Sequence, residues 1–499
     1  MQNNNLFKQH RSKILLFLTL LSLLTRLINL SSVNKVVFDE VHYGKYISSY
    51  LKREYFFDDH PPLAKLFMAG LAKLFSLDPK TSFEHIGSAY PKETPLFVLR
   101  LVPALFGALL IPLIFLFTQK ITQSPRAGLL ASLFILFDNA FLTHSRFITP
   151  DPFLIFFIIF TIYTFLKSEN GKRKRWLFIA GMSGGFTIST KWIGLIGLGI
   201  VLIEILYTER LKIMKKPKKI IMYFLTFVII PLIIYYFTIS IHFKTLNHAG
   251  GFKEVMGLNK SMFYSHSRPL THHYSSKWFT WPFMARSVSY LHSSLGSNHV
   301  QNITFLGNPF VWWLSTLGII TLIILTFLKK FFPFRNLAEF RGKEIILSGY
   351  IISFLPFMSI SRCLFLYHYL TALIFALIAT AVILDKFLAI EEIPSPLPSI
   401  FTLITALPLL ILISRAVYLW YIPQETPFLL GSFFIILGSL FSIYLYFITK
   451  RNIYKIPHYW LIALFFTLIG CFLIFSPLSY GLPISQKTFD FYMWIKSWI

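Results

Sequence analysis

The chain has 499 residues, of which 55% are hydrophobic and 18% aromatic, and its mean hydropathy is +0.63. Apolar runs of roughly 20 residues, long enough to span a bilayer, recur from end to end, so the composition excludes a soluble multidomain enzyme and predicts a polytopic membrane protein. The net charge of +26 does not indicate nucleic-acid binding, because Lys and Arg are concentrated between the apolar runs, as in cytoplasmic loops. The basic clusters are residues 172–175, 212–219, 329–335 and 450–455.

The first apolar run, residues 14–30, predicts an uncleaved membrane helix, because it is long and lacks a small-residue cleavage site. With its basic N-terminal flank inside, this helix delivers residues 32–95 to the outer side as a large loop. Residues 37–45 of the loop have the sequence VFDEVHYGK, and residues 56–65 have the sequence FFDDHPPLAK. Charged residues make up only 14% of the chain, so this concentration of ionisable groups predicts a functional site.

The same loop contains an amphipathic segment, residues 62–77. Its apolar side chains fall on one side of a helix, which predicts a helix lying at the membrane interface. A helix that packs between loops is also consistent with the pattern. Pro61 and Pro62 restrict φ and keep His60 out of helical geometry, so we expect the chain before this helix to hold one shape.

Two later apolar stretches are interrupted by polar residues. Residues 128–165 contain the sequence THSRFITPDP at 143–152, and residues 176–207 contain Lys191 and Trp192 near their middle. Basic residues flank both stretches on both sides, so each stretch is predicted to cross the membrane twice and to turn at the outer face.

This topology gathers the ionisable residues that belong to no cytoplasmic cluster at one boundary of the membrane. Seven of them form a candidate constellation on the outer face: Asp39, Glu40, Lys65, Arg100, Arg146, Asp151 and Lys191. Arg146 and Asp151 could instead pair with each other to hold their turn. A transporter more often carries such groups near the bilayer midplane, so their position favours an enzyme acting on a lipid-linked substrate.

Seven further crossings follow, at residues 220–242, 309–328, 345–360, 364–384, 399–421, 428–449 and 459–476. We therefore predict an all-α polytopic fold of about 11–13 transmembrane helices, with outer loops 32–95 and 243–308. Residues 1–385 are predicted to form an N-terminal catalytic module, and residues 386–499 the C-terminal helices and an outer tail. Trp494 in that tail, and likewise Trp498, would suit an interfacial aromatic belt.

Sugar transfer from a phosphate-linked donor needs fewer acid–base groups than glycoside hydrolysis. A phosphate leaves as a stable anion, so the reaction needs one general base for the acceptor hydroxyl and cations for the developing phosphate charge. Adjacent residues such as Asp39 and Glu40 point in different directions, so one can act as the base while the other positions the acceptor or a cation. Alone, the pair would more often be solvated loop residues. The two cysteines, Cys363 and Cys471, indicate no disulfide framework or metal cluster.

Motifs along the chain resemble those of the protein O-mannosyltransferase family. FDEVHYG (38–44) and HPPLAK (60–65) are similar to the family's first outer loop. Weaker similarities follow in the family's order, and these are SRFITPD (145–151), STKWIGL (189–195), YSSKW (274–278), NPFVWW (308–313) and FLYHYL (365–370). Thr149-Pro150 departs from the family pattern, and Thr371 replaces its proline.

The resemblance implies a GT-C-type fold and an inverting transfer of mannose from polyprenyl-phosphate mannose to Ser or Thr of exported proteins. Asp39 would be the base, with Glu40 beside it. Substrate contacts are predicted for His60, Lys65, Arg100, Arg146, Asp151, Lys191, Trp192, His368 and Tyr369. A histidine in surroundings like those of His368 is, however, more often packed in the core than catalytic. No metal or other cofactor is expected.

Residues 243–308 are too few for the β-trefoil domain of eukaryotic members, which favours a bacterial or archaeal member in the plasma membrane, with its site facing outside. Two alternatives stay open. One is a related enzyme that uses another sugar or a lipid or glycan acceptor, and the other is a lipid or sugar transporter.

Overall fold

The fold is predominantly helical, as the sequence predicts. The computed structural model describes residues 10–213, 216–296, 298–327, 339–387, 396–450 and 458–498. The helices are α1 (Arg11–Leu27), α2 (Glu40–Lys52), α3 (Leu63–Leu74), α4 (Leu96–Thr122), α5 (Pro125–Leu136), α6 (Asn139–His144), α7 (Asp151–Lys167), α8 (Lys174–Ile188), α9 (Leu195–Ile213), α10 (Pro217–Phe224), α11 (Ile230–Thr245), α12 (Phe252–Ser267), α13 (Pro309–Phe327), α14 (Lys343–Phe354), α15 (Leu370–Phe387), α16 (Pro396–Leu419), α17 (Thr426–Lys450), α18 (His458–Tyr480) and α19 (Gln486–Tyr492). The strands are β1 (Val288–Ser294), β2 (His299–Phe305) and β3 (Pro483–Ser485).

The chain forms two compact units built from interleaved stretches. The first unit comprises Met1–Gln123, His144–Ser275 and Glu344–Leu364. The second unit comprises Ser124–Thr143, Ser276–Lys343 and Phe365–Ile499. The predicted division after residue 385 stays a prediction.

Apolar helices long enough to cross a membrane confirm a multi-pass integral membrane protein. Within the described ranges there are seven: Leu96–Thr122, Pro217–Thr245, Pro309–Phe327, Leu366–Phe387, Ser399–Leu419, Thr426–Ile448 and Tyr459–Tyr480. The other predicted crossings coincide with helices α1, α5, α7, α8, α9 and α14, whose apolar segments fall short of the spanning criterion. The basic cluster 329–335 and parts of clusters 212–219 and 450–455 lie outside the described residues, and the total number of crossings stays a prediction.

Both predicted interruptions of the apolar stretches are present. Helix α6 ends at His144 and α7 begins at Asp151, with Pro152 in its first turn, where a missing N–H is tolerated. Lys191 has extended backbone angles (φ −151°, ψ 147°) and separates α8 from α9. Each break therefore leaves a short segment outside the α-helices that can present polar side chains.

Residues 32–95, the predicted first outer loop, pack around an apolar core that also includes residues of α4 and α7. The predicted amphipathic helix is confirmed as α3, whose buried residues Met68 and Ala72 share a core with Ile47 of α2 and with Phe83. Gly44 allows this packing, because a Cβ atom at that position would lie only 2.0 Å from Phe83 Cδ1. The loop is thus a folded platform that carries the polar motif on its helix ends.

The loop 243–308 contains structure that was not predicted. Helix α12 occupies Phe252–Ser267, and the antiparallel strands β1 and β2 pair Val288 with Phe305. Strand β3, from the C-terminal segment, adds to β2 with Val300 opposite Ile484. The predicted all-α fold therefore lacks one small sheet that the structure contains. The third strand of this sheet comes from a remote part of the chain.

The C-terminal segment packs inside the second unit. Trp498 is 1% exposed, and its indole N–H donates to the Met284 carbonyl at 2.6 Å. The Ser287 hydroxyl donates to the carbonyl of Trp498 at 2.6 Å. The indole N–H of Trp498 is therefore satisfied inside the protein, and its interfacial position stays a prediction.

Candidate active site

A strained turn presents Asp39 at the start of α2. Phe38 has φ +48°, in the left-handed region that non-glycine residues seldom adopt. The Glu40 N–H donates to the Val37 carbonyl at 2.9 Å, and the Val37 N–H donates back to Glu40 Oε2 at 2.9 Å. Two reciprocal hydrogen bonds therefore fix the turn on either side of Asp39.

Glu40 forms a buried ion pair with Arg100. Arg100 Nε and Nη2 donate to Glu40 Oε1 and Oε2 at 2.7 and 2.9 Å, and both side chains are fully buried. Glu40 also accepts from the Tyr90 hydroxyl at 3.1 Å and from the Ile148 N–H at 3.2 Å. The remaining Arg100 donors reach main-chain carbonyls, those of Leu30, Val33 and Lys35. Every nitrogen of this guanidinium is engaged, so the pair ties α2, α4 and the loop together.

Arg146 makes a similar scaffold contact at the end of α1. Its Nη1 donates to the carbonyls of Arg26 and Ile28 at 2.9 and 2.8 Å, and its Nη2 donates to the carbonyl of Asn29 at 2.9 Å. Carbonyls at a helix C-terminus lack helical partners and carry partial negative charge. Arg146 therefore caps α1, while the ion-pair partner of Asp151 is Lys191.

Three ion pairs and one further carboxylate make up the polar cluster of the first unit. The pairs are Lys65 with Asp58, Lys191 with Asp151 and Arg362 with Asp59. The fourth carboxylate is Asp39, which is half-buried. Across the part of the chain that the structure describes, the Asp39 carboxylate makes no hydrogen bond or ion pair. It is the one carboxylate of this cluster without a cation of its own.

The charges around Asp39 come from both helix interruptions. Lys191 Nζ lies 2.9 Å from each carboxylate oxygen of Asp151, and His144 Nε2 lies 3.5 Å from Asp151 Oδ2. Burial raises the pKa of the Asp39 carboxyl to about 6, against the opposing effect of the Lys191 ammonium and with a further rise from the Asp151 carboxylate. Asp39 is therefore a stronger base than an ordinary aspartate.

His60 is connected to this cluster through Lys65. Lys65 Nζ donates to the His60 carbonyl at 2.7 Å as well as to Asp58, and this holds the His-Pro-Pro segment against α3. Burial, together with the Lys191 charge, lowers the pKa of His60 to about 4, so its ring is neutral near neutral pH. His60 Nδ1 is buried and has no hydrogen-bond partner among the described residues.

Trp192 joins the cluster through α12. Its indole N–H donates to the Tyr235 hydroxyl at 3.0 Å, and its ring stacks on His266 with centroids 5.3 Å apart. The His266 ring is also 5.4 Å from the His60 ring. His266, which the sequence analysis did not select, therefore contacts both Trp192 and His60.

The structure places His368 and Tyr369 in the second unit. The His368 ring stacks with Trp281 at 6.0 Å, and its Nδ1 lies 3.0 Å from the Phe365 carbonyl. Tyr369 is buried, with its ring 5.5 Å from that of Trp312. Their predicted contact with substrate stays a prediction.

The sequence analysis did not select three charged residues of the cluster as site residues: Asp58 and Asp59 of the FFDDHPPLAK motif, and Arg362. Arg362 lies outside every motif quoted above. It follows α14 and donates through Nη1 to Asp59 Oδ2 at 2.9 Å. Its sequence signal was present, since it lies at the predicted outer end of a crossing, a few residues before the FLYHYL motif. Nothing local links it to Asp59, which is 303 positions away.

No arrangement of three or more His, Cys, Asp or Glu side chains suited to a metal ion occurs within the described ranges. The expectation that the reaction needs no metal or cofactor stays a prediction.

Comparisons with known proteins match both halves of the chain to protein O-mannosyltransferases. Residues 16–247 match the family described as dolichyl-phosphate-mannose-protein mannosyltransferase, and residues 251–498 match the C-terminal four-transmembrane region of protein O-mannosyltransferase. Dolichyl-phosphate-mannose–protein mannosyltransferase 4 of Candida albicans is 36% identical over 278 residues, covering 51% of this chain and 37% of that protein. Protein O-mannosyltransferase 1 of Drosophila melanogaster is 35% identical over 251 residues, covering 48% of this chain and 28% of that protein.

Solved structures show the same fold at low sequence identity. The protein O-mannosyltransferase Pmt1-Pmt2 complex of S. cerevisiae bound to the sugar donor superimposes with a TM-score of 0.73 at 18% identity, covering 98% of this chain and 92% of that chain. ArnT of Cupriavidus metallidurans bound to undecaprenyl phosphate gives a TM-score of 0.59 at 16% identity, covering 95% and 77%. The matched region is about a third of each curated relative's length. The two family matches and the shared fold show that this chain belongs to the protein O-mannosyltransferase family of GT-C membrane proteins.

Proposed function

We propose that the protein transfers mannose, with inversion, from polyprenyl-phosphate mannose to Ser or Thr hydroxyls of exported proteins. The reaction takes place at the outer face of a prokaryotic plasma membrane and uses no metal or other cofactor. The observation that carries the proposal is the Asp39 carboxylate, which lacks a cation of its own among three ion pairs and has a pKa of about 6. Family membership supports the choice of donor and acceptor.

Asp39 is the general base of the proposed reaction. The acceptor oxygen attacks the anomeric carbon of mannose from the face opposite the phosphate, while Asp39 takes the hydroxyl proton. The bond between that carbon and the phosphate oxygen breaks, and polyprenyl phosphate leaves with the electron pair. Because the leaving group is already an anion, no second carboxyl is needed to protonate it. A base with a pKa of about 6 is strong enough to help remove the proton yet is mostly ionised at neutral pH.

Arg362 is assigned to the donor phosphate in place of Arg100 and Arg146. The contacts of Arg100 and Arg146 with main-chain carbonyls support scaffold roles for both. Arg362 uses one nitrogen on Asp59, and a guanidinium has five donors. A phosphate can therefore share Arg362 with Asp59 or displace it, through the bidentate geometry that suits arginine. Lys191 and Lys65 supply nearby positive charge that Asp151 and Asp58 partly neutralise.

A reconstituted transfer assay tests this function. The purified protein in nanodiscs is given polyprenyl-phosphate mannose and a Ser/Thr peptide, and mannosyl peptide is measured by mass spectrometry. Parallel reactions offer other lipid-linked sugars, and glycan or lipid acceptors. Product only with another sugar or acceptor would replace the donor or acceptor assignment, and lipid or sugar movement across a bilayer without any product would support a transporter instead.

The rate of transfer should rise with pH through the pKa of Asp39. A base works in its deprotonated form, so a pKa of about 6 predicts kcat/KM about tenfold lower at pH 5 than on a plateau above pH 7. Lys191→Met removes a charge that lowers the pKa of Asp39, so the rising limb should move to higher pH in that variant. A pH-independent rate between 5 and 7, or a limb that moves to lower pH, would contradict the assignment.

Substitutions at Arg362 and Asp59 should have opposite effects on donor binding. Arg362→Gln removes a charge-assisted contact with the phosphate and is expected to raise KM for the donor roughly tenfold or more. Asp59→Asn removes the group that competes for Arg362 and should leave this KM unchanged or lower it. Both variants break the same ion pair, so equal increases in KM would show that the pair matters only for structure.

A further inference from the structure

Helix α12 has two separate apolar faces. Val255, Leu258 and Met262 form the first face, which packs on Ile239 and Phe243 of α11. The second face is exposed: Phe252 is 70%, Met256 52% and Phe263 62% accessible. At 100° per residue these three side chains lie within about 40° of one another on the helix. Three large apolar side chains aligned on one exposed stripe differ from the scattered apolar residues of an ordinary surface.

The position of α12 along the chain determines its depth in the membrane. Pro217–Thr245 is long and apolar enough to cross the membrane, and only residues 246–251 connect it to α12. Helix α12 packs on the last two turns of that span, through Ile239 and Phe243. The Ser240 hydroxyl also donates to the Gly250 carbonyl at 2.7 Å, which holds the connection against the span. Helix α12 is therefore confined to the end of a membrane-spanning helix, at the level of the bilayer boundary.

Basic and aromatic residues border the exposed stripe. Lys253 and Lys260 are exposed and lie next to the stripe on one side of the helix. Lys260 Nζ lies 5.9 Å from the centroid of the Tyr264 ring. Residues 244–268 contain four Lys or Arg residues and one acidic residue, Glu254. Lysines and tyrosines beside an apolar stripe are characteristic of helices that lie in the headgroup region, with the apolar face down and the ammonium groups at phosphate level.

We propose that α12 lies in the membrane interface and binds anionic phospholipids. Its stripe of Phe252, Met256 and Phe263 enters the acyl region, while Lys253 and Lys260 contact lipid phosphates. The positive charge selects anionic over zwitterionic headgroups. The same helix carries His266 to Trp192, so the lipid contact also fixes the helix that completes one side of the candidate site. The proposal is independent of the reaction assigned to that site.

Depth-dependent quenching tests the position of the stripe. A bimane label is attached at Met256→Cys or, as a matched control on the far side of α12, at Ser261→Cys. Both are made in the full chain with Cys363→Ser and Cys471→Ala, in nanodiscs. Nitroxide-labelled lipids should quench position 256 at least about twofold more than position 261, and aqueous iodide should show the reverse order. Equal access of iodide to both positions would overturn the proposal.

Lipid selectivity is tested with a charge-matched control. Nanodiscs contain phosphatidylcholine with phosphatidylglycerol, and the lipids retained on the protein after transfer to detergent are counted by native mass spectrometry. Lys253→Gln with Lys260→Gln should lower phosphatidylglycerol retention roughly fivefold per lysine, whereas Lys45→Gln with Lys80→Gln should not. Equal retention by the two double variants would overturn the lipid assignment. Protection of position 256 by a Ser/Thr acceptor peptide, but not by lipid, would assign the stripe to acceptor binding instead.

Discussion

Asp39→Asn is expected to lower the turnover of mannosyl transfer by about 10²–10⁴-fold, the usual contribution of a general base. The folded protein should be as stable as the wild type or slightly more stable. Burial already disfavours the Asp39 charge, and no ion pair or hydrogen bond of the carboxylate is lost on substitution. Product formation by mass spectrometry and thermal melting in the same detergent measure the two effects.

The control for this prediction keeps the donor site intact. Asp39→Asn should bind polyprenyl-phosphate mannose with little change in affinity, because Arg362 and its partner Asp59 are untouched. Asp39→Glu retains a carboxylate and should keep part of the activity. Transfer by Asp39→Asn at the wild-type rate would remove Asp39 from the mechanism, and lost donor binding would point to a positioning role instead.

Glu40→Gln should mainly destabilise the protein, whereas Asp39→Asn should mainly lower turnover. It leaves the Arg100 guanidinium buried without a counter-charge, and breaking a buried ion pair typically costs about 3–5 kcal/mol. The turn around Asp39 also loses a charged acceptor for the Val37 N–H. Thermal melting and the yield of monodisperse protein should therefore both fall.

A double-mutant cycle separates this effect from catalysis. Arg100→Gln alone leaves Glu40 buried and uncompensated, whereas the double variant Glu40→Gln/Arg100→Gln leaves no buried charge. The double variant should therefore lose less stability than the sum of the two single variants. Additive losses would contradict a coupled pair. Wild-type stability of Glu40→Gln with lost activity would return Glu40 to the catalytic role that the sequence left open.

The adjacent carboxylates show where sequence reasoning ends. The motif and its membrane topology were enough to select Asp39 and Glu40, because charged residues are scarce in the chain and their position follows from apolar run lengths and basic flanks. Which carboxylate is buried against arginine depends on Arg100, 60 positions away. Such a contact is formed by packing, so no local pattern distinguishes the two residues.

The sequence by itself predicted the structural features that depend on residues close together in the chain. The polytopic class follows from apolar runs, the helix interruptions near Pro150 and Lys191 from polar residues within such runs, and α3 from the spacing of its apolar side chains. Tertiary structure alone decided that Arg362 meets Asp59, that β3 joins β2 and that α12 exposes a second apolar face. The first two pair groups far apart in sequence, and the third depends on which side of the helix α11 covers. Their partners are therefore set by the packed fold rather than by neighbouring residues.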